Sequence, residues 1–243
     1  MPADLQIHTD ASDGVDSPEA IFDSALQRAL DTIAITDHDQ TRGALIARDR
    51  AVQAQLTLDV IVGSEVTSRA GHILALWIED PIPTFRSPER TVELIWQQGG
   101  AAIISHPGAV IPFALGLGRI DRLVDALRPE LSGDHAPILA IETANPIPSA
   151  RQRRSAVIDA NRSRWHLPET GGSDAHFHEQ VGSAQTQYEG SGEGALRAAL
   201  ANNLTSPELG RYPSLREIGA SRLLRQQWRG LLATPKAVLG RDR

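Results

Sequence analysis

A chain of 243 residues with 41% hydrophobic and 22% charged residues has the make-up of one folded domain with a sizeable core, which excludes disordered, collagen-like and coiled-coil readings. It has no cysteine, so disulfide frameworks and thiolate zinc sites are excluded and any metal must rest on His, Asp or Glu. The net charge of −6 divides into +5 over residues 214–243, where seven Arg or Lys face Glu217 and Asp242, and −11 over the remainder, a body that disfavours non-specific nucleic-acid binding and suits divalent cations.

The first apolar run, Asp4–His8, ends in a histidine, and Asp13 follows in its loop. Ser17-Pro18 supplies an N-cap and a proline at the first helical position for a helix over Glu19–Leu30. The second run, Thr32–Thr36, leads into Asp37-His38-Asp39, and the third, Leu58–Gly63, leads into Glu65. His72 opens the fourth run, His72–Ile78. Ser87-Pro88 starts a helix over Glu89–Gln98 that Gly99-Gly100 ends. The fifth run, Ala101–Ser105, is followed by His106, and a helix over Arg119–Leu127 separates it from the sixth, Pro137–Thr143, which contains Glu142. A helix over Ser149–Arg164, a seventh run over Pro168–Ser173 followed by Asp174 and His176, and a helix over Gly194–Asn202 complete the series.

This alternation predicts an α/β fold with a largely parallel sheet, and seven strands in such a length predict a small (β/α)7 barrel in a single domain over residues 1–213. The C-terminal ends of parallel barrel strands share one mouth. His8, Asp13, His38, Glu65, His106, Asp174 and His176 would converge there, with His72 the exception because it opens its run. Imidazole with carboxylate suits zinc, manganese or iron(II), and eight ligands are too many for one ion, so two or three divalent ions are expected. Each residue alone has an ordinary alternative. Asp13-Gly14 is a turn signal, Asp174 can cap a helix and Glu142 can be a buried salt-bridge partner. His135 and His166 lie in polar loops and read as solvated, and His178 falls between the two readings.

Taken in order, Asp4-Leu5-Gln6-Ile7-His8-Thr9 with Ser12-Asp13-Gly14, Thr36-Asp37-His38-Asp39, Gly63-Ser64-Glu65, Gly71-His72, Ser105-His106-Pro107, Ile141-Glu142 and Gly172-Ser173-Asp174-Ala175-His176 resemble the motifs of one family. It is the polymerase-and-histidinol-phosphatase (PHP) family of metal-dependent phosphoesterases, here in a compact form without a helical cap insertion between His72 and His106. The resemblance implies a distorted seven-stranded barrel with two or three metals at its mouth. It places His8, Glu65 and Asp174 on a first ion and Asp13, His38 and His176 on a second. His72 and His106 would hold a third, which Glu65 bridges to the first. Asp37 would accept a hydrogen bond that fixes an imidazole tautomer, and Glu142 would play an outer role or line the pocket. The family opens with His-x-His; here Gln6 occupies the first histidine's place and is a possible weak ligand.

The implied activity is release of phosphate from a small phosphorylated molecule by a metal-bound hydroxide, with His176 or His178 protonating the leaving oxygen. Two other readings stay open: a metallohydrolase of a non-phosphate ester or amide, and a catalytically silent barrel that binds a partner. Without the cap the mouth is expected to be open, and Arg86 and Arg119 are candidate phosphate contacts.

Residues 214–243 form a basic extension. Leu223, Leu224, Trp228, Leu231 and Leu232 recur at helical spacing over Ser221–Leu232, with Arg222, Arg225 and Arg229 between them and Pro235 as the expected end. Such a helix either packs on the barrel or binds a partner or a membrane surface. No apolar run reaches the roughly 20 residues of a membrane span. Met1–Asp10 lacks the order of a signal peptide, so the cytoplasm is the expected location.

Overall fold

Continuous apolar runs become strands covered on both faces. In the computed structural model, which describes residues 1–133 and 136–238, β1 (Pro2–Ile7), β2 (Thr32–Ile35) and β3 (Asp59–Thr67) pair in parallel. Strand β4 (His72–Leu76) runs antiparallel to β3 and to β5 (Ala101–Ile104). Parallel pairing resumes through β6 (Leu139–Ala144) and β7 (Glu169–Gly171). The reversal of β4 accounts for His72. Its first residue pairs with Thr67 at the end of β3, so a strand start reaches the same mouth as its neighbours' ends.

The sheet has nine strands among the described residues, not seven, in the order β7-β6-β5-β4-β3-β2-β1-β8-β9. The additions are β8 (Ala184–Gln187) and β9 (Ser206–Leu209), both antiparallel. Each has only four residues, three of the four in β8 are polar and β9 contains Pro207, so neither shows an apolar run in the sequence. The sheet almost closes on itself. Beyond β7, His8 N–H donates to the Ala175 carbonyl at 2.8 Å, and the Thr186 hydroxyl in β8 donates to the Gly171 carbonyl at 2.9 Å. At this seam the buried Asp4 carboxyl accepts the N–H groups of Ser173 at 2.9 Å and Gly182 at 2.7 Å, and burial pushes its pKa up to about 6.

Helices α1 (Pro18–Gln27) and α2 (Arg42–Gln53) cover Ile33, Ile35, Val60 and Val62 on the outside of the sheet. Helix α2 is absent from the sequence reading because its buried face is Gly43, Ala44, Ala47 and Ala51, which gives little apolar contrast. Helices α3 (Pro88–Gln97), α4 (Leu117–Leu127) and α5 (Pro148–Ala160), the last extended by a π turn over Asn161–Trp165, cover β4 to β6. Helix α6 (Gly192–Ala201) packs Leu196, Ala199 and Leu200 against Ala3, Leu5, Ala34, Ile61 and Ile103. Glu193 N–H at its start bonds Asp59 at 2.9 Å, so α6 stoppers the end where the strands begin.

The chain finishes in α7 (Leu215–Ile218) and α8 (Ala220–Val238). Helix α8 continues past Pro235, since a proline removes one N–H donor and can bend a helix without ending it. His135 lies outside the described residues. Among the described residues no helix is long and apolar enough to cross a membrane.

Candidate metal centre

The Glu65 carboxylate, at the mouth end of β3, is the hub of the site. Its Oε1 lies 3.1 Å from His72 Nδ1 and 3.0 Å from His106 Nε2. Its Oε2 lies 3.2 Å from His8 Nε2 and 3.6 Å from His38 Nδ1. Asp174 approaches His8 Nε2 at 3.2 Å from the other side. A second focus forms at Asp13 Oδ2, 3.0 Å from His176 Nε2 and 3.6 Å from His38 Nε2. The five imidazoles adjoin one another, from His8 on His176 at 4.4 Å between ring centroids to His72 on His106 at 5.5 Å. The structure thus brings together all eight residues that the sequence nominates, His72 included. Within 4.8 Å, ligand atoms group as His8, Asp13, His38 and His176; His8, Glu65 and Asp174; and His38, Glu65 and His72.

Hydrogen bonding shows that the residues fit cations. The His176 Nδ1 nitrogen lies 2.9 Å from the Asp174 carbonyl oxygen, which can only accept. Nδ1 therefore carries a proton, and a ring left neutral would turn an Nε2 lone pair onto Asp13 Oδ2, whose charge raises the imidazole's pKa against the effect of burial. Two acceptors at that spacing need a second proton or a metal between them. Both ring nitrogens of His8, Nδ1 of His38, Nδ1 of His106 and Oε1 of Gln6 are likewise buried with no hydrogen-bond partner. Buried polar atoms are normally satisfied, so this concentration of orphans marks a place for ligands.

The charge states agree. Burial favours a neutral Glu65, but the imidazoles of His72, His106 and His38 outweigh it and hold the carboxyl well below the usual range. Burial opposes ionisation of Asp13 too, and His176 and His38 overcome it. Both carboxylates are therefore in the ionised form that binds metals. Glu142 goes the other way: burial raises it well above the usual range, against the pull of the His106 N–H and Asn145.

Local backbone geometry aims these groups. His106 and Asp174 both have left-handed backbone, with φ of +31° and +51°, a strained conformation typical of functional sites. Glu142 Oε2 accepts the His106 N–H at 2.8 Å and holds that conformation, while Gly172 leaves room, since a Cβ there would lie 2.5 Å from Glu142 Oε1. In β1 the register slips between Asp4 and Ile7. That bulge lets Leu5 join the inner core while Gln6 also faces the centre, where its Nε2 donates to Glu65 Oε1 at 3.0 Å.

Asp37 does something other than fix an imidazole. Its carboxylate accepts the Thr9 N–H at 2.8 Å, the Thr9 hydroxyl at 2.7 Å and the Ser12 hydroxyl, so it clasps the loop that carries Asp13. Gly43 in α2 makes space for it, as a Cβ there would collide with Asp37 Oδ2. The ring nitrogens of His178 face Asp16 at 3.1 Å and Glu179 at 3.5 Å, and the ring touches none of the eight candidate ligands. Arg119 is paired with Glu89 at 2.7 Å, and Arg86 is exposed. His166 ends the π turn in a left-handed conformation. The sequence reading assigns no role to Ser105, whose hydroxyl donates to Glu65 Oε1 at 3.0 Å, although it adjoins His106.

Residues 4–106 match the profile of the PHP domain and residues 158–205 that of the PHP-associated region, and together they enclose all eight candidate ligands. Over 136 residues the chain is 36% identical to the protein MJ1587 of Methanocaldococcus jannaschii, a match covering 51% of this chain and 76% of that protein. The chain belongs to the PHP family. Membership places it among the metal-dependent phosphoesterases. Over 165 residues this PHP protein is 30% identical to the phosphoribosyl 1,2-cyclic phosphate 1,2-diphosphodiesterase of Eggerthella lenta, spanning 63% of this chain and 58% of that enzyme. Its fold superposes on a Bacteroides vulgatus two-domain protein containing a predicted PHP-like metal-dependent phosphoesterase, with a TM-score of 0.64 and 22% identity over 94% of this chain and 69% of the other.

Proposed function

We propose that this PHP protein releases phosphate from a small phosphorylated molecule, using two or three divalent ions of manganese, zinc or iron. The observation that carries this reading is the sharing of Glu65 between ligand groups, among buried nitrogens that lack any other partner. His8, Glu65 and Asp174 would hold one ion, Asp13, His38 and His176 a second, and His72 and His106 with Glu65 a third. Bound there, such ions supply Lewis acidity to a phosphoryl group and lower the pKa of a water.

The chain's own residues do the rest. Glu65 couples the ligand groups, and Glu142 fixes the backbone of His106. With Nδ1 of His176 committed to the Asp174 carbonyl, that ring serves as a ligand, and His178 at the half-open rim would have to leave Asp16 and Glu179 before it could protonate the leaving oxygen. The relative that acts on a phosphoribosyl cyclic phosphate favours a sugar-phosphate ester as the substrate.

A panel of ribose phosphates, cyclic phosphates and nucleotides, with aryl esters and amides beside them, tests the reading in the presence and absence of manganese. Manganese-dependent release of phosphate from sugar phosphates is expected. Turnover confined to carboxylic esters or amides supports the other hydrolase reading, and no turnover of any member supports a silent barrel.

Gln6 offers a sharper check. Its Oε1 is a buried oxygen without a partner beside the His8, Glu65 and Asp174 group. The change Gln6→His should tighten that ion, by an amount comparable to the roughly 10–100-fold that even outer partners command. Chelator competition measures it, and unchanged affinity would show that the Gln6 side chain does not reach the ion.

A further inference from the structure

Helix α8 lies beyond both stretches that match the family, yet it sits on the loop that carries Asp13. Arg229 donates from Nη2 to the carbonyls of Asp10 and Ser12, the second at 2.9 Å. Arg222 donates to Asp16 at 2.6 Å and to Glu179, so a second arginine ties the far end of the same loop. Between them Gln226 is 9% exposed, and its Nε2 lies 3.5 Å from Asp13 Oδ2. One turn further on, a Cβ at Gly230 would lie 3.3 Å from that same oxygen. Asp13 Oδ2 is also the atom onto which His176 and His38 turn their Nε2 nitrogens.

The face that this helix turns to the barrel is largely polar, although Leu223 is half-buried. A helix that merely covers a barrel turns its apolar stripe inward. Here Arg222, Gln226 and Arg229, at spacings of four and three, face the barrel, while Leu224, Trp228 and Leu231 are 72%, 68% and 71% exposed. The inward stripe is polar because what it meets is a carboxylate and a set of backbone carbonyls.

We infer that α8 is a working part of the metal centre, in which Gln226 and Arg229 are positioning residues that hold Asp13 for the ion it shares with His38 and His176. The inference rests on the metal-centre reading proposed above. Asp13 stands in a loop, so no strand pairing fixes it. A charged guanidinium bonded to two carbonyls is a strong hold on such a loop. The amide of Gln226 is a weaker, longer contact that keeps one carboxylate oxygen oriented and keeps water from its flank. The mouth is accordingly flanked by a helix on the Asp13 side, where the short β4–β5 connection had suggested an open site.

The test uses the full chain, stripped of metal and reloaded with manganese, with affinities read by chelator competition. Gln226→Met and Arg229→Ala should each weaken one bound ion by about 10–100-fold and leave the others unchanged. Arg229→Lys, which keeps a cationic donor, should recover part of the loss, and Arg225→Ala on the exposed side should have no effect. In an Asp13→Asn background the further losses should vanish, as expected for residues acting through one partner. Wild-type affinity for every ion in Gln226→Met and Arg229→Ala, with only the unfolding temperature of the metal-free protein lowered, would reduce α8 to packing and overturn the inference. Losses that persist undiminished in the Asp13→Asn background would overturn it equally. A wild-type chain that binds no manganese would instead remove the metal-centre reading on which it stands.

Discussion

Replacing Glu65 by glutamine should all but abolish phosphate release while the barrel stays folded. The substitution keeps the shape of the side chain but removes the negative charge that faces His8, His38, His72 and His106. Losing an outer partner of a metal ligand typically costs about 10–100-fold. Glu65 serves more than one ligand group, so its loss should exceed that range and lower metal content as well as turnover. Turnover at saturating manganese, measured beside elemental analysis, is the check. A variant within tenfold of the wild type and with full metal content would mean that Glu65 is structural and the site is centred elsewhere.

Changing Asp4 should have the largest effect on stability. Its carboxyl gathers the N–H groups of Ser173 and Gly182 where the sheet closes on itself. Asp4→Ala leaves both donors buried without an acceptor, at a cost of about 3 kcal/mol or more. The wild type also carries a pH signature. Burial raises Asp4 to about 6 in the folded protein, whereas the unfolded chain ionises it at an ordinary carboxylate value. Between those values the unfolded state has released the proton and the folded state has not, so rising pH favours unfolding. The stability advantage of wild type over Asp4→Ala is therefore greatest below about pH 4, declines as pH rises through 6, and is flat above that. Denaturant unfolding of both metal-free proteins across this range measures it. An advantage that grows with pH would show that the carboxylate is stabilised at the seam, contrary to the burial argument.

The site was more legible in the sequence than the sheet that carries it. Strand ends announce themselves because an apolar run such as Ala101–Ile104 stops at a histidine, and loop residues such as Asp13 lie next to those ends. Strand direction leaves no such mark. The reversal of β4 is invisible in His72–Leu76, although it is what brings His72 to Glu65. Strands β8 and β9 lack an apolar run because three of the four residues of β8 are polar, while β9 lies at one end of the strand order and is half exposed. The bulge in β1 is equally silent, since a register slip depends on the neighbouring strand. The roles of Asp37 and Gln226 were also beyond reach. Both act on a loop distant in sequence, Gln226 from 213 residues away, and polar contacts of that kind have no periodicity to betray them.

This chain is expected to hydrolyse phosphoesters with ions held by the Glu65-centred cluster. Metal stoichiometry of the protein as purified, with phosphate release followed through removal and return of that metal, tests it most directly. Two or three divalent ions per chain, loss of phosphate release on chelation, and its return with manganese, zinc or iron are the expected results. Full phosphate release from a protein free of divalent metal would contradict them.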